Sequence, residues 1–515
     1  MEYRYFLLMV ANASPNKTLD EEVIRSSVAD TYSDFERFEI VNRWGSSHAN
    51  LYRVHLINPT STNDDIQAEE TESVVIKVFL PVHTGDHYYD LAHQPGVTHP
   101  KEVEVLDTLP NIFRNLGADM LPNLVGTHYC AHPALSTSDL GSLNLKRAVR
   151  EAAKNKGEFP NAVEEVFKYG LDAVAKFAGF CGHIKDQMVS EHPRMITKDR
   201  RVDEYLFTEH LSRIYFNVNK DCRRQGDGRY DSENVRKHIQ ERFGIDLRER
   251  VSEIMDLREC SGLFVEALQH GDCNSLNLVS DSDTINKIIS GEIDVDKDSG
   301  SDLNFVDFVD FGMSSDTRDI ASYCVLVGVS GLGSNPISDS PNLGFYLHRY
   351  HALTHAWARQ DPDLADHIKI LKNGALKEFV QYNVLEGNKS EYCRRHFSVL
   401  TDQIDKIIQL AASFNRYDPV ADTRHRGTRF APEMLRVSGG LFRTVGGTID
   451  WTESLDQTAA VRQSFYALGN LLKELKLYSP QRGGDIVLGY ALDQINGNTP
   501  TAHITRESPF HGPEE

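Results

Sequence analysis

A chain of 515 residues with 40% hydrophobic and 25% charged residues has the composition of a folded protein, long enough for one large core or two coupled ones, which excludes general disorder. Its formal net charge of -20 argues against wrapping nucleic acid or lying on an anionic membrane, because both need a basic face. Any phosphate chemistry must then rest on a few locally placed cations.

Seven cysteines, at 130, 181, 222, 260, 273, 324 and 393, are an odd count without a CxxC pair, which opposes a disulfide framework or a cysteine zinc site. The run Tyr5 to Val10 is short and Glu2 sits where a cationic region belongs, so it is expected to be the first strand or helix and not a signal peptide. No stretch has the length needed to span a bilayer, and the cytoplasm is the expected compartment.

In chain order, residues 38 to 57 are two alternating runs around Gly45, which predicts a hairpin. The acidic segment 63 to 72 is expected to be a surface loop, and Val74 to Leu80 a third strand with Lys77 inside it. From Pro100 the pattern turns helical: Glu102, Val105, Leu106 and Leu109 share one face, with Glu104 pointing away. Leu124 to Cys130 resumes strand character, Leu135 to Leu140 reads as an extended connector, and a long helical stretch follows from Lys146. Residues 277–279 and 303–306 read as a strand pair, with the Asp-, Ser- and Gly-rich residues 280 to 302 as an acidic hairpin loop between them.

Phosphoryl transfer to an alcohol needs a base near the hydroxyl, ligands for magnesium, a cation on the phosphates and a backbone cover. In His270-Gly271-Asp272-Cys273-Asn274-Ser275-Leu276-Asn277, an Asp and an Asn stand five residues apart, where Asp272 can take the proton and Asn277 reach a metal. The bland alternative is an Asx-rich turn. Downstream, Phe305-Val306-Asp307-Phe308-Val309-Asp310-Phe311-Gly312 offers a metal carboxylate at Asp307 or Asp310, or a turn cap.

The two runs together resemble the ecdysteroid kinase-like branch of the choline kinase-like family, within the aminoglycoside phosphotransferase superfamily. That family sets its metal Asp, followed by Phe, twelve residues before a second Asp that opens a helix; Asp307 and Asp319 match, and Asp310 does not. The resemblance implies Asp272 as base, Asn277 and Asp307 as magnesium ligands, and Asp319 as a structural partner of the loop. It likewise implies Lys77 as the strand lysine that contacts the phosphates of ATP and Glu102 as its acidic partner, with Glu104 the alternative. Members of the branch usually carry a Trp and a second Asn where this chain has Asn274 and Leu276, and a Gln where it has Val309.

Gly45 and Ser46 could drape backbone amides over the phosphates, though the loop is equally readable as an ordinary hairpin turn. Asp139 lies where the family joins its lobes and adenine bonds to backbone, or it caps the next helix. His351 and His355 lack the Glu of a metal-binding pattern and are expected to be structural, as are Arg424, Arg426 and Arg429 on a solvated face. No Walker-type or Rossmann glycine motif occurs.

The expected fold is α+β and protein kinase-like, with a small antiparallel β lobe (1–135) and a large, mainly helical lobe (136–515) holding the catalytic loop 270–277 and the metal segment 305–319. Magnesium and ATP, bound between the lobes, and a small-molecule alcohol are the expected cofactors and substrate. A protein kinase is the first alternative, although that class expects His-Arg-Asp where this chain has His270-Gly271-Asp272; an inactive relative is the second.

Overall fold

The computed structural model describes residues between 17 and 380, with breaks of which the longer are 32–36, 58–70, 83–86, 213–230, 253–265, 298–302 and 324–342. The expectations for residues 5–10, for Ser46, for 63–70 of the acidic loop and for Arg424, Arg426 and Arg429 lie outside the described residues; Thr71 and Glu72, expected in that loop, instead open a strand. In chain order the elements are α1 (Lys17–Thr31), β1 (Arg37–Gly45), β2 (Ala49–Ile57), β3 (Thr71–Phe79), α2 (His87–Ala92), α3 (Pro95–Asn115), β4 (Leu124–His128), β5 (Ala134–Ser138) and β6 (Leu143–Asn144). They continue with α4 (Leu145–Lys154), α5 (Ala162–Glu191), α6 (Pro193–Ile196), α7 (Ser232–Phe243), β7 (Glu266–Gln269), β8 (Leu278–Ser280), α8 (Ser282–Ser290), β9 (Asn304–Phe305), β10 (Gly312–Ser315), α9 (Leu343–Ala358), α10 (Pro362–Lys369) and α11 (Asn373–Phe379). The fold is mixed α+β: an antiparallel sheet and a mostly helical remainder. Two compact units divide the chain, one of residues 1–142, 279–281 and 302–311, the other of 143–278, 282–301 and 312–515.

The first unit is built on a five-stranded antiparallel sheet in the order β1-β2-β3-β5-β4. Residues 135–140, expected as a connector, mostly form β5, so a lobe boundary at 135 would cut a strand that pairs along β3. Alternation sends Tyr52, Val54 and Leu56 of β2 and Val74, Ile76 and Val78 of β3 to one face, where Val23, Ile24 and Val28 of α1 cover them. Each such aliphatic contributes about 1.5–3 kcal/mol relative to an exposed position. Lys77 and Arg53 take the opposite face, because Arg53 pairs with Val75 and Lys77 with Leu51.

Helix α3 begins at Pro95, not at Pro100 as expected; Pro95 sits at the first turn, and Pro100 and Pro110 are carried inside. It buries Glu102, Val105, Leu106 and Leu109 on one face, and Gly117, at φ 78, closes its end. There the amides of Gly117 and Ala118 donate back to Arg114 and Phe113, which satisfies two terminal carbonyls. In the remaining stretch of this unit, β8 neighbours β9, the strand pair expected from the sequence.

The second unit is organised by α5, whose 30 residues are buried over most of their circumference. A Cβ on Gly179 would lie 2.4 Å from the Cβ of Trp357 in α9 and 2.9 Å from the Thr354 carbonyl oxygen, so these helices approach at a distance that only glycine permits. Gly179→Ala is expected to lower stability by about 1–3 kcal/mol, the cost of overpacking a full interior. Chemical denaturation that returned wild-type stability for this variant would contradict the packing described.

One expectation is overturned here. Residues 280 to 302 are not an acidic hairpin loop, since 282–290 form helix α8, with Ile285, Ile288 and Ile289 buried at offsets of three and four. Gly291, at φ 78, ends it, its amide and that of Glu292 donating to Ile288 and Lys287. Past this helix, Asp296 lies 2.8 Å from both Lys168 of α5 and Arg349 of α9. Arg349 is fully buried and forms two 2.7 Å bonds with the carboxylate of Asp172 and one of 2.9 Å with the Lys369 carbonyl.

Candidate active site

Within the second unit, β7 pairs with β10 and delivers His270, Gly271 and Asp272 at its end. Gly271 has φ 89, a left-handed conformation that costs glycine little and other residues more. The buried Asp319 carboxylate holds this turn, accepting from the His270 amide at 2.7 Å and the Gly271 amide at 2.9 Å. Its own amide donates to Gln269 Oε1 at 3.1 Å. Hydrogen bonds to a buried charge are worth about 1.5–3 kcal/mol each, which accounts for an Asp at this position.

Asn277 closes the loop from the other end, its Nδ2 donating to the Asp272 carbonyl and to Asp272 Oδ2, each at 3.0 Å. Its Oδ1 is thereby turned away from Asp272. Helix α5 is the platform beneath: Phe177 meets the His270 ring edge-on at 5.9 Å, and Cys181 is buried nearby. Burial first, then the charge of Asp319, pushes the Cys181 thiol well above its usual range, so it is a packing group and not a nucleophile.

Within the first unit, the Lys77 ammonium stands 2.7 Å from Glu102 Oε2 and 2.6 Å from Asp307 Oδ1. Burial works to lower the Lys77 pKa, but the charges of Asp307 and Glu102 outweigh it and hold the ammonium above the ordinary lysine range. Glu102 is pushed up by burial and by Asp307, with Lys77 pulling the other way. Glu102, not Glu104, is the partner: Glu104 faces solvent on the outer side of α3.

Asp307 is the more exposed carboxylate of this trio at 30%, against 3% for Glu102, and its backbone stands at φ 69. A non-glycine residue in that region costs about 1–3 kcal/mol, tolerated best by Asp and Asn. Asp310 has a different neighbour, Lys101, whose pKa is lowered by burial against the attraction of Asp310 and Glu102. One cation and two carboxylates leave the Lys77 trio an excess negative charge. Asp307 therefore suits a hard divalent cation that takes oxygen ligands, and the Asn277 amide oxygen is a donor of the same kind.

Asp139 is held entirely by protein partners: Arg53 binds it through two nitrogens at 2.7 and 2.9 Å, Ser73 Oγ donates at 2.6 Å and the Gly141 amide at 3.3 Å. It does not cap the next helix; Asn144 does, accepting from the Arg147 amide at 3.0 Å. Gly141, at φ 137, sits where a Cβ would be 2.5 Å from the Ser280 carbonyl oxygen, which fixes its identity. Gly45 pairs with Asn50 at the end of the hairpin. Sequence reasoning passed over Arg53, Lys101 and Gln269; Arg53 was legible as a cation on the face of β2 opposite Tyr52, Val54 and Leu56.

His351 is buried in α9, and burial together with Arg359 lowers the His355 pKa. Among the described residues no three or more His, Cys, Asp or Glu side chains gather as a metal cluster, and no helix is long and apolar enough to cross a membrane.

No protein-family profile matches the chain, and no curated protein does. Among solved structures it is similar to an aminoglycoside phosphotransferase from Streptomyces rimosus, over 67% of this chain and 98% of that one, at 12% identity and a TM-score of 0.35. A superposition that loose leaves the chemistry to be read from the side chains.

Proposed function

We propose that this chain transfers the γ-phosphoryl group of ATP to a hydroxyl of a small organic molecule. The observation that carries this reading is the loop geometry: Asp319 pins the amides of His270 and Gly271, and Asn277 bonds to Asp272, whose half-buried carboxylate lies in the loop that follows β7. In the proposed step Asp272 accepts the acceptor hydroxyl proton as the new O–P bond forms, and the bond from the γ-phosphorus to the bridging oxygen breaks to release ADP. Lys77, kept charged by its two carboxylates, supplies the phosphate cation. Asn277 and Asp307 are the proposed magnesium ligands, and the metal when bound would neutralise phosphate charge. A resemblance to ecdysteroid and choline kinases, carried by residues 270–277 and 305–319, supports a small alcohol as acceptor over a protein.

Ligand that binds only the native state raises stability by mass action, by about 2.7 kcal/mol at a hundredfold excess over Kd. Millimolar ATP with magnesium is therefore expected to raise the melting temperature by several degrees, and ATP without divalent metal by much less. A thermal-shift titration with no response to magnesium and ATP together would remove the nucleotide from this reading.

A further inference from the structure

The turn that follows Asp307 is gripped by two consecutive residues of α3. Glu102 Oε1 accepts from the Phe308 amide at 3.3 Å, and Lys101 Nζ donates to the Val309 carbonyl at 3.0 Å. The Phe311 amide closes the turn on the Phe308 carbonyl at 3.0 Å, with both Phe side chains buried beneath it. Neighbouring helix positions point about a quarter-turn apart, so residues 101 and 102 reach the amide and carbonyl sides of one short loop. Asp307, at φ 69, is not in a conformation it would hold unaided, and these bonds are what over-determine it.

We propose that Lys101 is a positioning residue: by holding the Val309 carbonyl it locks the 308–311 turn, and through that turn it sets where the Asp307 carboxylate stands for a divalent cation. The role rests on the reading of Asp307 as a magnesium ligand. Glu102 holds the amide side of the turn with one oxygen and Lys77 with the other, while the Lys101 ammonium holds the carbonyl side. Asp310, one residue beyond the gripped carbonyl, attracts Lys101 to the same place.

The test uses the full chain with Lys101→Met, which keeps most of the aliphatic stem, and Lys101→Arg, which keeps a charged donor. The first readout is the magnesium concentration giving half the thermal shift at fixed ATP. Losing one charged hydrogen bond is expected to raise it about tenfold in Lys101→Met, while Lys101→Arg stays within about threefold of wild type. The second readout needs no ligand: amide exchange across residues 303–315 should quicken about tenfold in Lys101→Met and little in Lys101→Arg, with β2 unchanged in both. An unchanged magnesium midpoint in Lys101→Met beside a responding wild type, or equal losses in both variants, would overturn the inference. A wild type that ignores magnesium and ATP would remove the metal role of Asp307 and this role with it, a result distinguishable from a responding wild type with an indifferent variant.

Discussion

Replacing Asp172 with Ala is expected to cost the fold about 3–5 kcal/mol, the penalty for removing one partner of a buried ion pair. Arg349 is fully buried, and burial works against its charge; the carboxylates of Asp172 and Asp296 overcome that and keep its pKa raised. Without Asp172 the guanidinium loses two 2.7 Å bonds and retains Asp296, itself shared with Lys168, so the lower end of the range is the expected value. The charges are not irreplaceable: Asp172→Leu combined with Arg349→Met removes both and leaves apolar groups of comparable volume, and should recover much of the loss. Urea denaturation reads both, as a lowered midpoint at unchanged slope for the single variant and a partly restored midpoint for the double. A single variant within half a kcal/mol of wild type, roughly the level of an ordinary surface exchange, would contradict the network.

The same network marks where the sequence was legible and where it was not. Hairpin and strand β3 followed from alternation alone, because one face of each is buried and the period of two survives in the residues. The apolar face of α3, with Glu102 on it, was equally plain, whereas the choice between Glu102 and Glu104 as the partner of Lys77 stayed open until the ion pair was seen. Helix α8 was hidden by charge: three isoleucines at helical spacing lie among five acidic residues between 281 and 296, and the charge masks the spacing. Asp296 looked like solvated surface for the same reason, because its partners, Lys168 and Arg349, are more than 50 residues away in either direction. Local pattern carries no information about such pairs.

In the candidate site, the loop from His270 to Asn277 was readable because its parts are close in sequence and their hydrogen bonds are local. The Lys77, Glu102 and Asp307 trio was reached by resemblance to a family, not by periodicity, since its members span 230 residues. Lys101 carried no local signal at all: next to Glu102 on a helix it reads as one more surface cation. Its partner is a backbone carbonyl 208 residues on.

Asp272 carries the central claim. A base that takes up a proton as the O–P bond forms acts in the transition state, so Asp272→Asn should lower kcat by about a hundredfold or more and leave KM for ATP nearly unchanged. The fold should tolerate the exchange, because Asn keeps an oxygen that can accept from Asn277 Nδ2, and the carbonyl of residue 272 still takes the other bond. The most direct measurement is ATP consumption with magnesium across a panel of small alcohols, wild type beside Asp272→Asn, with melting temperatures recorded for both. The account predicts at least one alcohol that drives ATP turnover by wild type, and loss of that turnover in a variant that melts close to wild type. No turnover with any alcohol, or equal turnover by the two proteins, would contradict it.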